Sequence, residues 1–173
     1  MVNSGTSTYA ESTERLRQRG TCSHNTVEIN GNNSSEVWKS FRVAQRANPR
    51  DFSIKNIQGQ WKEIACSHDG YTRLSGRNIH RRSWQLEVQR LIVKDEITGV
   101  FKSAIARFYL HPDLTVERDC VVLPSGRKIR VNCEGGDIRW VQSTWHPEFG
   151  KSVPNQCLEI EMKRSVCKAV FEW

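Results

Sequence analysis

Long apolar runs are missing from this chain: nothing in its 173 residues approaches the roughly 20 that a helix needs to cross a bilayer. Residues 1–8 lack both a positively charged start and an apolar stretch, so no secretory signal is expected. Together these absences point to the cytoplasm or nucleus, where the six cysteines would stay reduced. Catalytic signatures are missing as well. There is no G-x-S-x-G elbow, no H-E-x-x-H pair, no Walker loop and no G-x-G-x-x-G turn. His146-Pro147-Glu148 is a loop tripeptide with nothing to mark it as acid–base machinery. A non-enzymatic protein that works by binding, with no cofactor, is the expectation.

What is present is alternation. Trp84, Leu86 and Val88 alternate with Gln85, Glu87 and Gln89, and Leu158, Ile160 and Met162 with Glu159, Glu161 and Lys163. A period of two places one face against a core and one in water, the pattern of antiparallel sheet. Strands are expected near 60–67, 71–75, 83–94, 99–110, 114–123, 127–133, 137–144, 156–163 and 166–172. Turns fall at 95–99, at Pro124-Ser125-Gly126 and at Glu134-Gly135-Gly136-Asp137. Ser165 interrupts the alternation between Met162 and Val166, which allows the last two strands to be a single bulged one. The fold class is mainly β, an antiparallel barrel or two-layer sandwich.

Residues 1–32 are rich in Ser, Thr, Asn and Gly with few large apolar groups, so they read as a disordered tail. The sequence predicts one helix over about 34–47. Asn33 would cap it and Glu36 would reach back, Val37, Phe41 and Ala44 form its stripe, and Asn48-Pro49 ends it. Residues 33–173 would then be one β-rich domain. The chain finishes on strand 166–173, with Phe171 and Trp173 on one face. At a sheet edge that strand would be a template for self-association into a homo-oligomer.

The net charge of +7 is concentrated: residues 70–94 carry six basic groups against the single acidic Glu87. Such clustering favours an acidic partner. The candidate nucleic-acid or membrane-binding residues are Arg73, Arg77, His80, Arg81 and Arg82, joined by Arg127, Lys128 and Arg130 around the Pro124–Gly126 turn. Arginine forks pair bidentately with phosphate, and Lys128 and Arg130 share the face opposite Ile129 and Val131. Cys-Ser-His occurs twice, so Cys22, His24, Cys66 and His68 are the only candidate metal ligands. One intervening residue fits a zinc knuckle poorly, and no metal is expected.

Two resemblances follow. Asn56-Ile57-Gln58-Gly59-Gln60-Trp61 resembles the first lipocalin signature, in which a Gly-x-Trp opens strand one and the Trp closes the base of an eight-stranded barrel. It implies a cavity for a small apolar ligand. In layout (small size, basic charge, polar N-terminus, β-rich remainder) the chain resembles the small basic matrix proteins of plant-infecting negative-strand RNA viruses, the rhabdovirus type. That resemblance implies a virion protein in host cytoplasm or nucleus. It would bind nucleoprotein or RNA and an anionic membrane surface, and would self-associate. An RNA-binding accessory role such as silencing suppression is the further alternative.

Overall fold

The computed structural model describes residues 1–57 and 60–173. One helix, α1 (Thr13–Arg19), and a 3-10 turn, Thr21–Ser23, precede twelve strands. These are β1 (Val27–Ile29), β2 (Pro49–Ile57), β3 (Gln60–Tyr71), β4 (Asn78–Leu86), β5 (Arg90–Thr98) and β6 (Ala104–Tyr109). They continue as β7 (Thr115–Glu117), β8 (Cys120–Val122), β9 (Lys128–Glu134), β10 (Gly136–Trp145), β11 (Val153–Met162) and β12 (Val166–Glu172). They form two sheets, a small one ordered β1-β6-β11-β10 and a large one ordered β2-β3-β4-β5-β12-β9-β8-β7. Both sheets have free edges, so the molecule is a sandwich and no closed barrel forms. Gly59 and the Trp61 side chain, on which the lipocalin resemblance rests, lie outside the described residues.

The alternation builds the core. Ala104, Ala106 and Phe108 of β6 and Leu158, Ile160 and Met162 of β11 point inward from the small sheet. Val93 and Ile97 of β5, Val131 of β9 and Ala169 and Phe171 of β12 meet them from the large one. Phe108 and Phe171 touch edge to face across the sheets, centroids 5.5 Å apart at 71°.

Several boundaries differ from the sequence reading, each for a physical reason. The expected strand 83–94 is a hairpin: β4 and β5 pair as far as Leu86↔Leu91, and Val88 at its tip is 93% exposed. Asp95, expected in a turn, lies inside β5 and is buried. The last two strands stand apart as placed, and only the alternative of one bulged strand falls: Lys163–Ser165 carries the chain from β11 in the small sheet to β12 in the large one. β12 is hydrogen-bonded on both sides, to β5 and to β9, which removes the edge on which self-association was argued. Phe171 is core, whereas Trp173 remains 42% exposed.

No helix forms over 34–47. The Glu36 N–H donates to the Gln45 carbonyl and the Glu36 carbonyl accepts from the Ala44 N–H in an irregular hairpin with a bridge at Val37↔Val43, and Phe41 is largely exposed. The expected cap, Asn33, uses its side-chain oxygen to accept the Thr21 N–H instead. The helix stands earlier, capped by Ser12, whose hydroxyl accepts the Arg15 N–H at 3.1 Å. Residues 1–32, expected to be disordered, are held mostly by polar contacts. Gln18 bonds Ser7 and Glu14, the Tyr71 hydroxyl donates to the Val27 carbonyl, and β1 pairs with β6. Among the described residues no helix is long and apolar enough to cross a membrane.

The two sheets are joined at Phe108. Phe108→Ala should destabilise the protein by about 3–5 kcal/mol, while Val88→Ala at the exposed hairpin tip should stay within about 0.5 kcal/mol. Urea unfolding followed by circular dichroism checks the contrast. Equal effects would mean that the Phe108–Phe171 contact is not where the sheets are held together.

Candidate functional site

The basic cluster on β4 divides by the same period of two that made the strand. Asn78, His80 and Arg82 face the interior and are buried, while Ile79 and Arg81 face outward. A buried guanidinium demands a partner, and β5 supplies it. Arg82 makes a bidentate pair with Asp95, Nε to Oδ1 at 2.7 Å and Nη2 to Oδ2 at 2.8 Å. His80 Nε2 lies 2.7 Å from the same Oδ1, and its Nδ1 lies 3.2 Å from His68 Nε2 on β3. Arg82 also donates to the Asn25 carbonyl at 2.7 Å, and its guanidinium lies 4.9 Å from the centre of the Phe108 ring. Burial pushes the Asp95 carboxyl up, but the Arg82 charge and the His80 and Arg82 hydrogen bonds outweigh it and hold it near 2. For His68, burial and the neighbouring His80 lower the imidazole to about 4.

The other candidates are spread over the surface. Arg73 donates to the backbone carbonyls of Asn33, Ser34 and Gly70 and so staples the loop that follows β1. Arg81 reaches the Asp51 carbonyl and the Ser67 hydroxyl, and Arg77 sits exposed in a turn with φ of 46°. The two Cys-Ser-His segments do not converge. His24 Nδ1 meets Asn3, Cys22 offers its carbonyl to the Tyr109 hydroxyl, Cys66 Sγ faces the Arg50 carbonyl, and His68 joins His80. Among the described residues no group of three metal-ligating side chains comes together.

Arg127, Lys128 and Arg130 belong elsewhere. Lys128 and Arg130 project from the face of β9 opposite Ile129 and Val131. They line an open trough of about 1010 Å³ together with Lys62, Arg90 and Trp173, with Leu86, Val88 and the carboxylates of Glu87 and Glu172 also along it. Arg127 lies on the adjoining turn and is exposed, outside the trough. Two trough cations are already paired, Lys128 with Glu117 and Arg90 with Glu87, each at 2.7 Å. Arg130 and Lys62 have no carboxylate within 4.0 Å among the described residues. The trough therefore offers two free cations, two exchangeable ones and a half-exposed indole held by its backbone N–H to the Gln89 carbonyl at 3.1 Å. Such a surface can take an extended polyanion with rings to stack. Sequence alternation found Lys128 and Arg130. Lys62, Arg90 and Trp173 escaped it, because only the closing of β3, β5, β9 and β12 into one sheet brings them side by side.

The comparisons with known proteins speak to the same fold. A family model described as heparinase II/III-like, C-terminal, matches residues 1–173. A solved heparinase III gene product aligns with 98% of this chain at 16% identity and a TM-score of 0.70. The heparan sulfate lyase HepC from Pedobacter heparinus aligns with 98% at 13% identity and a TM-score of 0.69. The chain spans only 27% and 28% of the length of those two proteins. No curated protein sequence matches. The family match overturns the viral matrix reading, and with it the virion, host-cytoplasm, nucleoprotein, RNA and membrane expectations. It overturns the lipocalin and silencing-suppressor alternatives too. The expectation of a non-enzymatic protein falls on the same finding, since the family that matches is named for heparinases. Size, charge and layout misled because they are shared by many basic β-domains and carry no residue-level signature.

Asp95→Asn should cost about 3–5 kcal/mol in urea unfolding, since it leaves Arg82 buried and unpaired. The imidazole of His68 is depressed on folding, so its contribution is complete above the ordinary histidine range and is lost as pH falls from about 6.5 towards about 4. Wild-type stability should therefore drop by on the order of 2 kcal/mol between pH 7 and pH 4.5. His68→Gln should flatten that dependence. A wild-type protein equally stable at both pH values would contradict this reading of His68.

Proposed function

We propose, from the fact that the chain belongs to the heparinase II/III-like C-terminal family, that it is the β-sandwich part of a lyase acting on an anionic polysaccharide and that it holds that polysaccharide in the trough. The observation that carries the reading is the pairing of the unpartnered Arg130 and Lys62 with the half-exposed Trp173 on one open face. Sulfated and carboxylated sugars present repeating anions on stiff rings. Arginine forks match sulfate and carboxylate bidentately, and an indole offers its face to a sugar ring. The heparan sulfate named for the HepC neighbour is a chain of this kind and is the substrate class we assign.

The sandwich suits the task because its contribution is positional. β9 and β12 are neighbours in the middle of the large sheet, so Arg130 stands on a backbone hydrogen-bonded on both sides, and Trp173 follows directly on β12, tied by its backbone N–H to the Gln89 carbonyl. The paired Lys128 and Arg90 can exchange Glu117 and Glu87 for a ligand anion at modest cost, since exposed ion pairs are worth little. The trough stands at the upper end of the roughly 300–1,000 Å³ usual for small-molecule sites and is open along one face, a shape that a length of polymer can cross.

A heparan sulfate oligosaccharide should bind the 173-residue chain with an affinity that weakens as salt rises, because exposed charges are screened. Replacing Lys62 and Arg130 together with alanine should weaken binding by roughly a hundredfold or more, at about 1.5–3 kcal/mol for each charged hydrogen bond lost, without changing the unfolding midpoint. Isothermal titration at two salt concentrations checks both. Unchanged affinity in the double variant would place the sugar elsewhere.

A further inference from the structure

Six free cysteines are present, and two of them form a pair that nothing above uses. Cys133 on β9 and Cys167 on β12 bring their sulfurs to 3.4 Å. We propose that Cys133 and Cys167 are a site of oxidative modification, forming a reversible cross-strand disulfide when the protein meets a hydroperoxide.

The placement is specific. Cys133 lies opposite Ala169, so Cys167 is its diagonal neighbour on the adjacent strand, and both side chains turn toward the core. A disulfide needs about 2.05 Å between sulfurs, so the two must draw closer than 3.4 Å, and at the wider spacing of a diagonal pair the strands shift with the side chains. Both cysteines stand where the chain changes sheets. Cys133 precedes Gly135, the φ 87° corner that passes from β9 into β10, and Cys167 follows the Lys163–Ser165 crossover from β11 into β12. The corner and the crossover already touch through the Lys163 N–H to the Gly135 carbonyl at 2.9 Å. A bond between the sulfurs would lock these two crossings together across 34 residues of chain.

The two thiols differ in a way that sets their roles. Cys167 is 2% exposed and faces Asp95 in register across β5, whereas Cys133 is half-buried. The sulfur contact with Cys167 lowers the Cys133 thiol, while Cys167, deeper in the core, is raised by that contact and by burial. Cys133 is the attacking sulfur. Its thiolate attacks one peroxide oxygen, the O–O bond breaks, hydroxide leaves and a sulfenic acid forms. Cys167 sulfur then attacks the sulfenic sulfur, the S–O bond breaks and a second hydroxide departs. The two thiol protons join the two hydroxides, so two thiols and one hydrogen peroxide give one disulfide and two waters. Neither Cys22, Cys66, Cys120 nor Cys157 has a sulfur recorded against another sulfur among the described residues.

The test is hydrogen peroxide at equimolar concentration on the 173-residue chain, followed by intact mass, thiol counting and non-reducing peptide mapping. The expected result is loss of two hydrogens and two free thiols, a linked peptide joining Cys133 to Cys167, and full reversal by dithiothreitol. The oxidised protein should also melt several degrees higher, as a cross-link constrains the unfolded chain. Over-oxidation of Cys133 with no linked peptide, a different pairing, or no thiol loss would each overturn the proposal. Cys133→Ser should abolish the linked peptide. The wild-type map decides the matter even where that variant fails to fold.

Discussion

The sandwich is organised around one buried carboxylate. Asp95 sits in the middle of β5, in the interior, and is tolerable there only because Arg82 grips both of its oxygens and His80 meets one of them. Arg82 in turn reaches the Asn25 carbonyl and lies over Phe108, while His80 passes contact on to His68. One charge pair thus connects β3, β4 and β5 of the large sheet with β6 of the small sheet and with the segment before β1. Removing either charge leaves the other stranded in a medium that solvates it poorly. The network also takes His80 and Arg82 off the surface, since both are spent on Asp95 inside the fold.

How much of this was legible in the sequence depends on what kind of force builds each part. Where apolar residues alternate with polar ones, as in Leu158-Ile160-Met162 and around Ile129 and Val131, the pattern places strand and face correctly, because hydrophobic burial obeys backbone periodicity. The Pro124–Gly126 turn is legible for a similar reason, since Val122↔Lys128 pairing follows from local chemistry. Where polar contacts do the work, the pattern fails. α1 and the chain on either side of it are ordered by Ser12, Gln18, Arg15 and Arg73 bonding to backbone and side-chain partners, many of them distant in sequence. No count of apolar residues detects that. The stripe Val37-Phe41-Ala44 misled in the opposite direction: its spacing is helical, but Asn33 was taken by Thr21, and Phe41 meets the Tyr9 ring at the surface instead of a core face.

The candidate site was legible only in part. Alternation showed that Lys128 and Arg130 share a face, yet it placed equal weight on Arg82 and His80, which point inward. A charge run on a strand is two populations, one per face, and sequence alone does not say which face is wet when the inward members carry their own counter-ion. The trough joins residues from β3, from the β4–β5 hairpin, from β9 and from the segment after β12, and it exists only through sheet order. The class of polymer proposed for that surface rests on the family match and not on the geometry.

The most direct measurement of that account is a structure of the chain crystallised with a heparan sulfate oligosaccharide. The account predicts a sugar ring against the Trp173 indole, with sulfate or carboxylate oxygens within hydrogen-bond distance of Arg130 and Lys62. An oligosaccharide seated elsewhere, for example on the exposed cluster of Tyr9, Phe41 and Phe149, with the trough left empty, would contradict it.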